Sequence, residues 1–320
     1  MANNHKCAII ADPSSSGWDF ASKLYEKIRD KTDKFELNKV NIKKFRDKEI
    51  KPKIELNIRN KDCYFIHDSN KDPKSWFLEL CLINSAIKGS SAERIIDVLP
   101  YLRFCRQDRK DESRVPISAK VVSDVIGIYA DRVLTMDVHS HQIQGFYNIP
   151  FDNLYSFPTV ISNINQEDSN ILDNSVIMST DAGGASRAKS FAERAGKKEV
   201  AIGYKVRNKD GDVETLKILG EVKNKNVLIL DDIVDSGTTI NMAAYAARMN
   251  GANKVYGYCT HGLFTKGIEY VTKNFDTFFL GDTLYNNNPP KNTRIISFVP
   301  LFAEAIYRIN EGKSLSELFE

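Results

Sequence analysis

Five cysteines in 320 residues are too few, and too odd in number, for a disulfide framework. They are Cys7, Cys63, Cys81, Cys105 and Cys259, and no two are spaced C-x-x-C. Reduced, mostly buried thiols are expected, and no zinc site. No run of 18 apolar residues occurs anywhere, and residues 1–30 contain no apolar segment of the secretory kind. A cytoplasmic protein, neither secreted nor membrane-spanning, is therefore expected. No charge sign dominates either: 45 Lys+Arg against 42 Asp+Glu leave +3, too small a surplus for a strong field toward nucleic acid or a membrane. Low-complexity segments are also missing. What remains, at 42% hydrophobic and 27% charged, is an ordinary folded composition, long enough for two domains.

Short apolar runs alternate with amphipathic stretches. Lys6–Ala11, Cys63–His67, Arg94–Leu99 and Arg132–Asp137 read as strands in the first half. Trp18–Arg29, Pro73–Ile87 and Pro116–Tyr129 read as helices, the last with Pro in its first turn, where a missing N–H costs nothing. The second half repeats the rhythm. Strands are expected at Ser175–Thr180, Val200–Val206, Asn226–Asp232 and Lys254–Thr260, and helices near Ala185–Ala195, Thr239–Asn250 and Ala303–Asn310. Such alternation predicts an α/β fold with two similar domains, each a mostly parallel sheet flanked by helices. The turn-like segment at Pro150 suggests domains of 1–150 and 151–320, with the docking of the last helix left open. Lys51–Pro52 marks an edge strand or a turn.

The strongest chemical signal is Val227-Leu-Ile-Leu-Asp-Asp-Ile-Val-Asp-Ser-Gly-Thr-Thr239. An apolar strand runs into two carboxylates, then a turn of Asp235, Ser236, Gly237, Thr238 and Thr239, then a helix. In open α/β sheets, ligands bind beyond the carboxyl ends of strands. The turn offers hydroxyls, backbone N–H groups and a helix N-terminus, which together suit a phosphate. Asp231 and Asp232 precede it, well placed for the vicinal hydroxyls of a sugar whose phosphate sits in the turn. A helix-capping turn alone would not explain two adjacent acids at a strand end, which are costly without a ligand.

This motif resembles the phosphoribosyl-diphosphate-binding motif of type I phosphoribosyltransferases and of ribose-phosphate diphosphokinases. Four further stretches favour the second family. Arg106-Gln-Asp-Arg-Lys-Asp-Glu-Ser-Arg-Val-Pro-Ile-Ser-Ala-Lys120 is similar to its ATP-contacting loop and following helix. Asp137-Val-His-Ser-His-Gln-Ile-Gln-Gly-Phe146 resembles its D-L-H-x-x-Q-I-Q-G-F segment, and Ser179-Thr-Asp-Ala-Gly-Gly184 its S-P-D-x-G-G. Thr260-His-Gly-Leu-Phe264 resembles T-H-x-x-F. The resemblance covers essentially the whole chain.

It implies a diphosphotransferase that moves the β,γ-diphosphoryl group of ATP onto the anomeric hydroxyl of ribose 5-phosphate, with Mg²⁺ as cofactor. Lys205 and Arg207 match a catalytic K-x-R, where two cations neutralise the transferring group. His139 matches a residue that helps bind Mg–ATP, and Asp181 is a second candidate near the metal, since Mg²⁺ takes one or two carboxylates plus substrate phosphates. His141 has no such match. Arg106, Gln107 and Asp108 match nucleotide-loop positions; alone they would read as a solvated charged loop. Phe45, Asp47 and Glu49 match a hairpin that enters a neighbouring subunit's ATP site, which implies a homo-oligomer, dimer-built and up to a hexamer.

The chain departs from the family pattern at Arg46 and Lys48, which replace Ser and Gly, at Lys74–Trp76, and at Thr238, which stands where Gly is expected. Three alternatives stay open. The acceptor is a larger ribose 5-phosphoester such as ADP-ribose, as in phage-type NAD resynthesis; the chain is a non-catalytic associated subunit; or it is a phosphoribosyltransferase, which lacks counterparts to the RQD and FxDxE stretches.

Overall fold

The computed structural model describes residues 6–207 and 213–319, and of 205–207 and 213–215 the backbone alone. Two compact units result. The first comprises Met1–Tyr155 and Val299–Glu320, the second Ser156–Phe298.

The first unit contains β1 (Cys7–Ala11), α1 (Gly17–Arg29), β2 (Phe35–Lys44), β3 (Ile50–Ile54), β4 (Asp62–Ile66), α2 (Pro73–Gly89), β5 (Arg94–Leu99), α3 (Ser118–Tyr129), β6 (Arg132–Met136) and β7 (Phe151–Leu154). The second adds α4 (Phe157–Asp173), β8 (Ser175–Ser179), α5 (Ala185–Arg194), β9 (Val200–Arg207), β10 (Val213–Leu219), β11 (Asn226–Val234), α6 (Thr238–Met249), β12 (Val255–Gly262), α7 (Ile268–Thr272), β13 (Thr277–Gly281) and β14 (Thr293–Ile296). The last helix, α8 (Val299–Glu311), belongs to the first unit.

Each unit has one seven-stranded sheet. Their orders are β3-β2-β1-β4-β5-β6-β7 and β10-β9-β8-β11-β12-β13-β14, the same pattern twice. All pairs are parallel except the edge hairpins β2–β3 and β9–β10. Helices cover both faces of a parallel sheet, so its strands need no polar side. Accordingly β1, β4, β8 and β12 are buried at every position.

Three sequence expectations are corrected, and one open alternative is decided. Pro116 precedes α3 instead of sitting in its first turn, because Ile117 is still extended. The segment after Pro150 is a strand, β7, recruited by pairing with β6. β11 runs on to Val234 because β12 keeps pairing as far as Gly262, so Asp231 and Asp232 lie within the strand's last residues. Lys51–Pro52 belongs to edge strand β3, where a residue without an N–H is tolerated.

One buried pair in the first unit has a pH signature. Asn84 Nδ2 on α2 donates to Asp97 Oδ2 on β5 at 2.8 Å, and both residues are almost fully buried. The other oxygens, Asn84 Oδ1 and Asp97 Oδ1, have no partner among the described residues. Burial pushes the Asp97 carboxyl up to about 7, against the weaker pull of the Asn84 bond. The folded state therefore holds a proton that the unfolded chain releases near pH 4. This contribution is fully present below about pH 4 and is lost as pH rises to about 7, at about 1.4 kcal/mol per pH unit. Asp97→Asn keeps the shape and removes the titration. Its stability relative to the parent, from urea melts at several pH values, is expected to climb between pH 4 and 7 by up to about 4 kcal/mol and then level off. A pH-independent difference would refute the assignment.

Candidate active site

In the second unit the order of connections reverses between β8 and β11, which opens a crevice at their carboxyl ends. β8 delivers Thr180 and Asp181 there; β11 delivers Asp231 and Asp232, followed by the loop Asp235–Thr239 and α6. Thr180 Oγ1 donates to Asp231 Oδ2 at 3.0 Å, and the Asp232 N–H donates to Asp231 Oδ1 at 3.0 Å. Asp232, only 3% exposed, pairs with Arg187 from α5 at 2.7 Å. The dense protein around Asp231, and then the charge of Asp232, raise the Asp231 pKa well above the usual carboxylate range. Asp181 Oδ1 accepts the Gly184 N–H at 3.2 Å.

The loop is shaped by Gly237, at φ +77°. It is the N-cap of α6 and carries no side chain to occupy the first-turn N–H groups. Ser236 Oγ and Thr238 Oγ1 are 3.2 Å apart on the rim. Asp235 accepts from Thr265 Oγ1 at 2.9 Å, tying the loop to the chain after β12. Lys266 places its ammonium 3.5 Å from Thr238 Oγ1 and 5.5 Å from the centre of the Tyr270 ring. An oxygen-rich, N–H-lined turn at a helix start with a cation at its rim can hold a phosphate.

The structure thus gathers Asp181, Asp231, Asp232 and the loop Asp235, Ser236, Gly237, Thr238 and Thr239 into one crevice. Lys205 and Arg207 lie at the end of β9; their side chains are outside the described residues. In the first unit, Arg106, Gln107 and Asp108 follow β5, with the Gln107 carbonyl accepting the Ala119 N–H at 3.1 Å at the start of α3. His139 follows β6 and is exposed. Phe45, Asp47 and Glu49 sit on the tip of the β2–β3 hairpin, closed by the Phe45 N–H to Glu49 O (2.8 Å) and by the Glu49 N–H to Asp47 Oδ1 (3.0 Å). Lys48 takes φ +74° there, a conformation that glycine adopts freely. The strand order keeps this tip apart from the other nucleotide candidates. Three inter-strand spacings separate β2 from β5 and four separate it from β6, about 14–19 Å at the usual spacing.

Arg187, Thr180 and Lys266 were not singled out from the sequence. Thr180 and Arg187 bracket the DAGG run and carried a readable signal, a hydroxyl and a cation just before and after it. Lys266 had none, since the contact joins residues 28 apart. For magnesium, no group of three or more His, Cys, Asp or Glu that could hold a metal occurs among the described residues. Asp181 in the second unit is the kind of single carboxylate donor that suits an ion bringing most of its ligands as water and substrate phosphate.

Fold and crevice define a class: an α/β protein of two units with the same sheet order, the second carrying a glycine-capped loop suited to a phosphate. A family model described as the N-terminal domain of ribose phosphate pyrophosphokinase matches residues 17–128, and one described as the phosphoribosyl synthetase-associated domain matches 207–320. The ribose-phosphate pyrophosphokinase of Thermotoga maritima is 37% identical over 287 residues, spanning 89% of this chain and 91% of its own. That of Rhizobium meliloti is 39% identical over 290 residues, spanning 89% and 93%. The chain belongs to the ribose-phosphate pyrophosphokinase family, a family of enzymes. Its fold matches the crystal structure of phosphoribosylpyrophosphate synthetase from Mycobacterium smegmatis with a TM-score of 0.84, covering 96% of this chain and 99% of that one at 24% identity.

Proposed function

We propose that this chain transfers the β,γ-diphosphoryl group of ATP to the anomeric hydroxyl of ribose 5-phosphate. The anomeric oxygen forms a bond to the β-phosphorus and gives up its proton to solvent, the bond from that phosphorus to the α,β-bridging oxygen breaks, and AMP leaves with that oxygen. The observation that carries the reading is the β8–β11 crevice, with Asp231 and Asp232 beside a phosphate loop whose N-cap is a glycine. Asp231 and Asp232 would hold the ribose hydroxyls. The loop Asp235–Thr239 would hold the 5-phosphate through N–H groups and hydroxyls. Lys205 and Arg207 would stabilise charge on the transferring group, and Arg106, Gln107 and Asp108 would bind ATP. Bound magnesium would offset charge on the ATP phosphates, with His139 of the first unit and Asp181 of the second each a candidate ligand by the family resemblance. Catalysis on this view is positioning and charge neutralisation.

A second reading keeps the reaction and enlarges the acceptor to a 5-phosphoester such as ADP-ribose. Lys266 favours it: an exposed cation at the outer rim, beside Thr238, suits a second phosphate beyond the cradle. One assay decides. AMP release is followed with ATP, Mg²⁺ and either acceptor, for the parent and for Lys266→Ala. Ribose 5-phosphate is expected to be the better substrate. A preference for ADP-ribose above about tenfold, or ~1.4 kcal/mol in the transition state, would establish the larger acceptor. Lys266→Ala would then reduce kcat/KM more for ADP-ribose than for ribose 5-phosphate. No AMP release with either would refute both readings.

The hairpin tip supports a shared site. Phe45 is 42% exposed at the sheet edge, distant from the nucleotide candidates of its own unit. On this proposal the protein is a homo-oligomer, and Phe45 stacks on the adenine bound by a neighbour. Stacking on a base is worth about 1–3 kcal/mol, so Phe45→Ala is expected to raise the KM for ATP about tenfold or more. Mixing Phe45→Ala with Lys205→Ala chains is expected to recover activity, since some sites then contain both intact parts. A monomer by light scattering, or no recovery on mixing, would remove the shared site.

A further inference from the structure

The turn that carries His139 is held by a residue outside the motif. Strand β6 pairs with β7 to its end, Met136 opposite Leu154, and the next N–H, that of Asp137, still reaches Leu154 O at 2.9 Å. Asp137 then takes φ +40°, in the left-handed region that Asp tolerates but does not favour. The chain leaves the sheet, and the Val138 N–H has no ladder partner. Val138 is buried, so an unpaired N–H there would be costly. Asn153 supplies the acceptor, its Oδ1 taking the Val138 N–H at 2.9 Å.

The other end of the same amide points to what this bond is for. Asn153 Nδ2 is buried and has no partner among the described residues. The same is true of the hydroxyl of Thr135, its register partner on β6. An apolar residue there would spare the orphan Nδ2 donor but leave the buried Val138 N–H without an acceptor. The acceptor end accounts for its presence.

We infer that Asn153 is a positioning residue for the nucleotide site. By holding Val138 against the left-handed turn at Asp137, it sets the direction in which His139 leaves the sheet. This rests on the proposal that His139 binds Mg–ATP.

The test compares four purified variants of the full chain for KM of ATP, KM of ribose 5-phosphate, kcat and melting temperature. Asn153→Leu keeps the size and loses the acceptor; it is expected to cost about tenfold or more in kcat/KM for ATP, since small displacements of a positioned group carry losses of this order. The KM for ribose 5-phosphate, bound in the other unit, is expected to stay at the parent value. Asn153→Asp keeps an oxygen facing Val138 and is expected to retain most of the activity. The double variant His139→Ala/Asn153→Leu is expected to be no worse than His139→Ala alone, because Asn153 acts through His139. Parent-like kinetics in Asn153→Leu beside an impaired His139→Ala would overturn the inference and leave the reading of His139 intact. So would additive losses in the double variant, or equal damage to both KM values. Parent-like His139→Ala would overturn the reading of His139 and this inference with it. If Asn153→Leu does not fold, Asn153→Ser is measured in its place, its hydroxyl too short to reach Val138.

Discussion

Gly237→Ala is expected to raise the KM for the acceptor about 100-fold or more, the loss of about 3 kcal/mol of phosphate binding. Two physical effects act together at this position. The backbone is at φ +77°, where any side chain is strained. A Cβ there would also lie 2.2 Å from Val271 Cγ2, a fully buried side chain on α7. Either α7 or the loop must shift, and the loop, in which the Thr238 N–H and hydroxyl meet Ser236 Oγ, loses its arrangement. Val271→Ala in the same chain removes the collision but not the backbone strain, so it is expected to restore binding in part. Acceptor KM and melting temperature on the single and double variants check this. An unchanged KM in Gly237→Ala would show that the acceptor phosphate does not sit in this loop.

Lys205→Ala and Arg207→Ala are each expected to lower kcat by about 100-fold or more, with ATP affinity changed only a few-fold, since a group that stabilises transition-state charge is worth about 3 kcal/mol. The backbone supports their proximity to the crevice. Gly203, two residues before Lys205 on β9, lies so close to the end of β8 that a Cβ would meet Thr180 O at 2.5 Å. Thr180 is also the residue that donates to Asp231. Steady-state kinetics paired with direct ATP binding separates the roles. Near-parental turnover in both variants would take them out of the chemistry and favour a binding subunit without catalysis.

Much of this protein is legible in its amino-acid sequence. The apolar runs at Cys7–Ala11, Arg94–Leu99 and Asn226–Leu230 are strands buried from both faces, and such strands must read as continuous hydrophobic segments. The Asp235–Thr239 loop is legible because the requirements of such a turn are local: a glycine at positive φ, hydroxyls and a helix start within five residues. Asp231 and Asp232 are legible because two adjacent acids in an apolar run are costly unless something pairs with them.

Other features depend on partners distant in sequence. β7 is four residues long and gains strand geometry from β6, so its own sequence reads like a turn. The extension of β11 to Val234 comes from β12, and the tie between Arg187 and Asp232 spans 45 residues. Lys266 meets Thr238, and Asn153 meets Val138, only because two strands end side by side. Local chemistry, which needs only neighbours along the chain, was determined by the sequence itself: the α/β class, the repeated rhythm and the glycine turn at the start of α6. Which side chains hold, neutralise or aim those groups was decided by the tertiary structure, because hydrogen bonds and ion pairs act over about 3 Å in space, irrespective of the number of residues between the partners.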